Sequence, residues 1–231
     1  MATYDEIRDL LARVLKDLDA VHDYYVYTKL AWRTIVQSTQ VEGRRLRYLN
    51  PITGNEVNEN AIAALSQHYV KNYLARSTLE EFVALLEEFM SGLMRVWLAA
   101  FPGSLAKKEV RFGVILSARD RDSIIQEVID AEIHALLYKK VADWFDYLNH
   151  TAKLGCPSSE EVGRIAEIKA TRDVFVHNKG LANSVYVQKA GQFARFRAGD
   201  PVEISEEYHE QSWRLLRKVV QDLAEAALAK S

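Results

Sequence analysis

The chain has little that would cross-link it, interrupt it or polarise it. Only one of its 231 residues is cysteine, Cys156, so it can form neither an internal disulfide nor a cysteine-rich metal site. A lone thiol suits a reducing compartment, and cytoplasmic placement is the expectation. Four prolines and ten glycines leave few backbone breaks. No run of about eighteen apolar residues appears, and the amino terminus lacks the basic, apolar and small-residue sequence of a leader, so neither a membrane span nor secretion is expected. There is no low-complexity tract and no fixed-period repeat, which excludes a solenoid. Charge of one sign is also missing. Thirty basic residues stand against thirty-two acidic ones, a formal net charge of -2, so no global field draws the molecule to nucleic acid and any such binding must be local.

What is present is apolar periodicity. Hydrophobic residues make up 48% of the chain, enough to build a full core. Ile7, Leu11, Val14, Leu18, Val21, Tyr25, Trp32 and Ile35 recur at spacings of three, four or seven and draw one stripe along a long helix. Thr3 and Glu6 have capping-box spacing at its start. The pattern dissolves near residues 44–48, and Asn50-Pro51-Ile52-Thr53-Gly54-Asn55 combines a fixed proline φ with a permissive glycine, which predicts a turn. A second helix is expected from 58 to about 75. A third should begin at Thr78, capped with Glu81, bury Leu79, Phe82, Val83, Leu86, Met90, Leu93 and Trp97, and end at Phe101-Pro102-Gly103.

Residues 105–118 read as helix. One longer helix is expected from about Ser123 to Leu148, with Ile129, Ile133, Leu136, Val141, Trp144 and Phe145 on its apolar side and Gly155-Cys156-Pro157 closing it. Ser158 and Glu161 make a capping box that opens the helix leading to His177. Beyond Gly180, Val185, Tyr186 and Val187, then Phe193 and Phe196, fit a short hairpin or an irregular loop across 185–197. A last helix from about 205 to 229, burying Trp213, Leu216, Val220 and Leu223, completes an all-α helical bundle. The chain is read as a single helical domain over residues 1–231.

One residue breaks the apolar logic. Ile165, Ile168, Arg172 and Phe175 are spaced three, four and three apart, so Arg172 falls on a row its neighbours use for burial. Removing a guanidinium from water costs several kcal/mol unless an acceptor compensates it, so Arg172 is either paired internally or aimed at an anionic ligand. Asp173 is not expected as its partner, because adjacent helical positions do not face each other. The helix should stop at His177-Asn178-Lys179-Gly180, with Asn178 or Gly180 in the left-handed cap conformation. His177 in the last turn can exchange protons near neutral pH, although a histidine at a helix end is more often a cap or a packing residue than a catalyst.

The run from Arg172 to His177, followed by Asn178, resembles the signature of the HEPN superfamily: arginine, a polar residue, several further positions, then histidine, often followed by asparagine. The resemblance covers about the last 110 residues, with a HEPN-like core over about 120–231 and residues 1 to about 76 as a helical extension that either completes the core or gates the site. It implies a helical bundle with the motif at a homodimer interface. It also implies metal-independent endoribonuclease activity of the kind found in toxin–antitoxin and phage-defence systems. Arg172 would clamp phosphate, His177 would act as general base or acid, and Asp173 and Asn178 would orient them. Some toxin members carry a tyrosine two positions after the histidine, whose modification silences them. Lys179 stands there in this chain, so that form of control is not implied.

RNA is then the expected substrate and an antitoxin or regulatory protein a possible partner; no cofactor and no membrane association are expected. Lys179, Arg195 and Arg197 are candidate RNA contacts, and Arg44, Arg45 and Arg47 beside Tyr48, and Lys107, Lys108 and Arg111, are further basic clusters, with solvated charge the plainer reading of each. His22, His68, His134, His150 and His209 show no metal-ligand spacing, so no metal site is proposed. There is no GxGxxG, P-loop or GxSxG pattern. Two alternatives remain: a HEPN module that binds RNA or a protein without cleaving, and a helical scaffold in which Arg172 simply satisfies a carboxylate from another helix.

Overall fold

A computed structural model describes residues 2–39 and 48–230. The side chain of Thr3, and with it the proposed Thr3–Glu6 box, lies outside the described residues, as do Arg44, Arg45 and Arg47. The described chain is mostly helical, as its periodicity predicts.

Helix α1 (Ala2–Thr39) lays Ile7, Val14, Leu18 and Tyr25 into the core. The predicted turn is the tip of a small hairpin. Strands β1 (Tyr48–Leu49) and β2 (Glu56–Val57) pair antiparallel, Asn50 Oδ1 accepts the N–H groups of Ile52 at 2.8 Å and Thr53 at 3.0 Å, and Gly54 takes a φ of 70° that favours glycine.

Helix α2 (Glu59–His68), capped by Asn58 on the Ala61 N–H, runs without a break through a π-helical turn (Tyr69–Leu74) into helix α3 (Ala75–Ala100). The expected start at Thr78 is therefore corrected. Thr78 is buried inside α3, where its hydroxyl donates to the Leu74 carbonyl at 2.7 Å, the back-bonding a threonine makes within a helix. That same oxygen lies 2.7 Å from Nε2 of His209 and accepts from it. The His209 ring stacks on Tyr25, with ring centroids 3.7 Å apart, and burial pushes its pKa down to about 3, so the ring is neutral.

Residues 105–118 are less helical than their sequence suggests: a 3-10 turn (Pro102–Leu105) precedes a short helix α4 (Phe112–Ser117). The single long helix expected over 123–148 is two, α5 (Arg121–Leu137) and α6 (Val141–Ala152). Asp143 causes the division from within α6 by accepting the Lys140 N–H at 3.0 Å, which starts a new helix where the apolar pattern alone runs on.

Helix α7 (Ser159–Asn178) opens on the predicted box: Ser158 Oγ accepts the Glu161 N–H at 3.3 Å and Glu161 Oε2 accepts the Ser158 N–H at 2.8 Å. The bond from Lys218 and that from the Ser158 N–H hold the Glu161 carboxyl down at about 2. The hairpin expected within 185–197 is not there. Helix α8 (Ser184–Ala190) occupies its first part, because Asn183 Oδ1 caps the Tyr186 N–H at 2.9 Å, and a 3-10 turn (Gly191–Phe193) follows. Gly163 lets that turn close on α7: a Cβ there would lie 2.2 Å from the Phe193 ring. Helix α9 (Glu206–Leu228) returns to pack Leu216, Val220 and Leu223 against α1, α3 and α7, so one continuous core includes residues from Ile7 to Ala227. A smaller cluster of Ala170, Val174, Ala182, Tyr186, Ala190 and Val202 fastens α8 to α7. Among the described residues no helix is long and apolar enough to cross a membrane.

Candidate functional site

A groove of about 510 Å³ runs along one face of α7. Ala166, Lys169, Ala170, Asp173 and His177 line it at spacings of three and four, so they form one helical stripe, with the two alanines leaving room beneath the longer side chains. Glu87 of α3 and Gln188 and Lys189 of α8 form other walls. The α5–α6 elbow adds Tyr138, Lys139 and Lys140, positions exposed to the groove only because the helix breaks there. Arg172 lines the same space. The structure thus brings Arg172, Asp173 and His177 together around one groove.

Arg172 is paired, but incompletely. Its Nη2 donates to Glu87 Oε1 at 2.8 Å, and Lys169 Nζ donates to the same oxygen. Asp173 Oδ1 lies 3.4 Å from Arg172 Nε, a contact the sequence argument does not expect. The long arginine stem bridges neighbouring positions, yet this nitrogen is buried without a hydrogen bond. The carboxylate of Asp173 is engaged instead by Lys189 Nζ at 2.9 Å. A guanidinium carries five N–H donors, so most of Arg172's capacity is uncommitted. Lys139, Lys140, Lys169, Arg172 and Lys189 face two carboxylates, Glu87 and Asp173, which gives the groove three positive charges in excess inside a chain of slightly negative charge.

His177 is exposed on the last turn of α7. Lys179, not Asn178, takes the left-handed conformation at φ 51°, followed by Gly180 at 79°, and Gly180 N–H returns to the Val174 carbonyl at 3.2 Å. Asn178 remains helical, and its Nδ2 donates to the Leu181 carbonyl, so it ties down the loop beyond the helix rather than the groove. Lys179 is exposed at the cap and does not line the groove.

Arg195 and Arg197 lie elsewhere. Arg195 turns inward: its Nε donates to Glu167 Oε1 at 3.0 Å, Nη1 to the Glu203 carbonyl at 3.3 Å and Nη2 to Thr171 Oγ1 at 3.4 Å, while its guanidinium lies 3.3 Å from the Tyr208 ring centre. Three of its five N–H donors are used inside the fold, which leaves less of it for an RNA backbone. Arg197 is exposed, with its backbone N–H held by Asp200 at 2.8 Å.

Two features of the site do not show in the helical pattern of the sequence. One is Glu167, a buried carboxylate that also accepts from Thr171 at 2.8 Å, Tyr186 at 2.9 Å and Tyr208 at 2.7 Å; burial, followed by this neighbouring charge, raises Tyr186 to about 12 and raises Tyr208 further. A carboxylate among Ile165, Ile168 and Thr171 is as anomalous as Arg172. The other is Glu87, whose partners lie more than eighty residues away and leave no local trace. No protein-family model matches the chain, and no curated protein and no solved structure is similar to it at a significant level.

Proposed function

We propose that the chain is an endoribonuclease of HEPN type that cleaves RNA without a metal, in a composite site made by two copies. The observation that carries this reading is the groove itself, where an arginine hydrogen-bonded through one Nη2 proton to Glu87 and an exposed histidine line one cationic space. Attack of a ribose 2′-oxygen on the adjacent phosphorus requires a proton to leave that hydroxyl, negative charge to be stabilised on the phosphoryl oxygens, and a proton to reach the departing 5′-oxygen; a 2′,3′-cyclic phosphate remains. Arg172, with Lys169 beside it, serves the second need. His177 serves one proton transfer, and a second copy of His177 across a two-fold axis serves the other. Val176, Leu181 and Val185 are exposed at the His177 end, an apolar surround that a second copy would cover.

The test is cleavage in excess EDTA. The full chain is expected to cut RNA, leave a cyclic phosphate and spare a 2′-deoxy substrate, and Arg172→Ala and His177→Ala are each expected to lose about a hundredfold or more in rate while keeping their circular dichroism. Full activity in either variant would overturn the assignment. The Glu87 clasp on Arg172 and Lys169 favours a second reading, a HEPN module that binds RNA or a protein without cleaving it. RNA binding with no product under any condition is the outcome that selects it for RNA.

A further inference from the structure

Outside the groove, the least explained surface is aromatic. Trp32 of α1 packs against Tyr69 with ring centres 5.7 Å apart. Tyr69 and Tyr73 lie 6.0 Å apart on the π-helical turn, and His68 meets Tyr73 edge-on at 5.2 Å. These rings do not fill a core: Tyr69 is 42% exposed and Tyr73 59%. Asn72 Nδ2, 3.2 Å from His68 Nδ1, fixes the imidazole in the cluster.

About one residue in seven of the chain is acidic, yet residues 24–41 and 60–79 contain no aspartate or glutamate at all, and it is these two stretches that meet where Trp32 touches Tyr69. Of their basic residues, Lys29 pairs with Glu206 and Arg76 with Glu80, each at 2.7 Å, which leaves Arg33 and Lys71. Arg33 and Lys71 are exposed and enter no ion pair among the described residues. Exposed rings beside two unpaired cations, Arg33 and Lys71, match a polyanion whose bases are free to stack.

The cluster and the groove are joined by one helix, since the π-helical turn runs directly into α3, which carries Glu87. Tyr73, Glu80 and Glu87 are two successive heptads on a continuous helix and so share a face. Glu87 holds Arg172, and Arg76 lies over the ring of Phe175, two residues before His177. Fourteen helical residues separate Tyr73 from Glu87, about 21 Å, a span of several nucleotides.

We infer that the face made by Trp32, His68, Tyr69 and Tyr73, with Arg33 and Lys71, binds single-stranded RNA by stacking its bases, leading the strand toward the Arg172 groove. The choice of RNA rests on the ribonuclease reading; the stacking surface does not. A duplex keeps its base faces stacked on each other and cannot use the rings, so the surface selects single strands.

Fluorescence anisotropy of a short labelled oligouridylate, measured on the full chain carrying His177→Ala so that RNA is not consumed, tests this. Tyr73→Leu and Tyr69→Leu are each expected to weaken binding about tenfold, while Tyr73→Phe, which keeps the π-face, binds as the parent does. Lys71→Ala should lower the salt dependence by about one counterion. The matching duplex should bind weakly and equally to every ring variant. Unchanged affinity in both leucine variants, or an equal loss for single strand and duplex, overturns the inference even if the chain cleaves RNA. Loss of single-strand binding in a protein that never cleaves keeps the inference and removes the ribonuclease reading.

Discussion

Helix α7 carries an arginine–glutamate pairing on each of two sides, and the two are built to different standards. On one side Glu167 is buried with four donors on its two oxygens, and its partner Arg195 uses Nε, Nη1 and Nη2 and stacks on Tyr208. On the other side Glu87 holds two cations on a single oxygen, Arg172 keeps a buried Nε without a hydrogen bond, and the surrounding groove is open with positive charge in excess. A network closed around a buried carboxylate serves the fold, because Glu167 would be costly to leave unpaired. An unsaturated one beside a groove has binding capacity left for a ligand. Pairing alone therefore does not separate structural arginines from functional ones; the fraction of donors used does.

The largest expected effect falls on the closed side. Glu167→Leu leaves Arg195 uncompensated and removes the acceptor for two tyrosine hydroxyls, so unfolding free energy should fall by about 3–5 kcal/mol in urea titrations. Arg172→Ala should cost only about 1 kcal/mol, because Lys169 remains on Glu87 and water reaches the groove. Similar costs for the two would erase the distinction between the networks.

The parts of this arrangement legible in the sequence are those set by local rules. The Ser158–Glu161 box, the apolar stripe of α7 and the misfit of Arg172 on that stripe all follow from spacing. What was illegible was either long-range or decided by one polar side chain. Glu87 meets Arg172 only through the packing of α3 on α7. The α5–α6 elbow, which gives the groove Lys139 and Lys140, exists because Asp143 reaches back to a backbone N–H, while the apolar pattern runs through it. Val185-Tyr186-Val187 has strand-like composition, and Asn183 overrides it by capping a helix. Thr78 has the look of a cap and is a buried back-bonding residue, since nothing in the sequence marks the π-helical turn before it.

A middle-sized effect sharpens the open side. Glu87→Gln keeps the shape but removes a carboxylate from Lys169 and Arg172, so the groove should bind inorganic phosphate about fivefold more tightly, roughly the 1 kcal/mol that Coulomb's law assigns to one charge in a water-exposed site. Calorimetric titration at low and high salt checks this, and the gain should shrink as salt screens it. Weaker binding would mean that Glu87 organises the two cations for the ligand instead of occupying them.

The last effect is a slope, absent at neutral pH. Tyr186 has its pKa raised to about 12 from an ordinary value of 10, chiefly by burial and then by Glu167. Between those values the unfolded chain releases a proton that the folded chain keeps, so the folded state binds more protons and stability falls as pH rises. The contribution is whole below about pH 10 and is lost toward pH 12. Tyr25 and Tyr147 are raised to about 12 as well, so the full alkaline limb belongs to several rings. Tyr186→Phe should therefore make it shallower by about one proton, near 1.4 kcal/mol per pH unit, without abolishing it. Arg172→Ala and Glu87→Gln should leave that slope unchanged, because neither residue touches a buried phenol. An altered slope in the groove variants would show that the two sides of α7 are coupled through the helix, and the contrast between them would then describe one network with an open end.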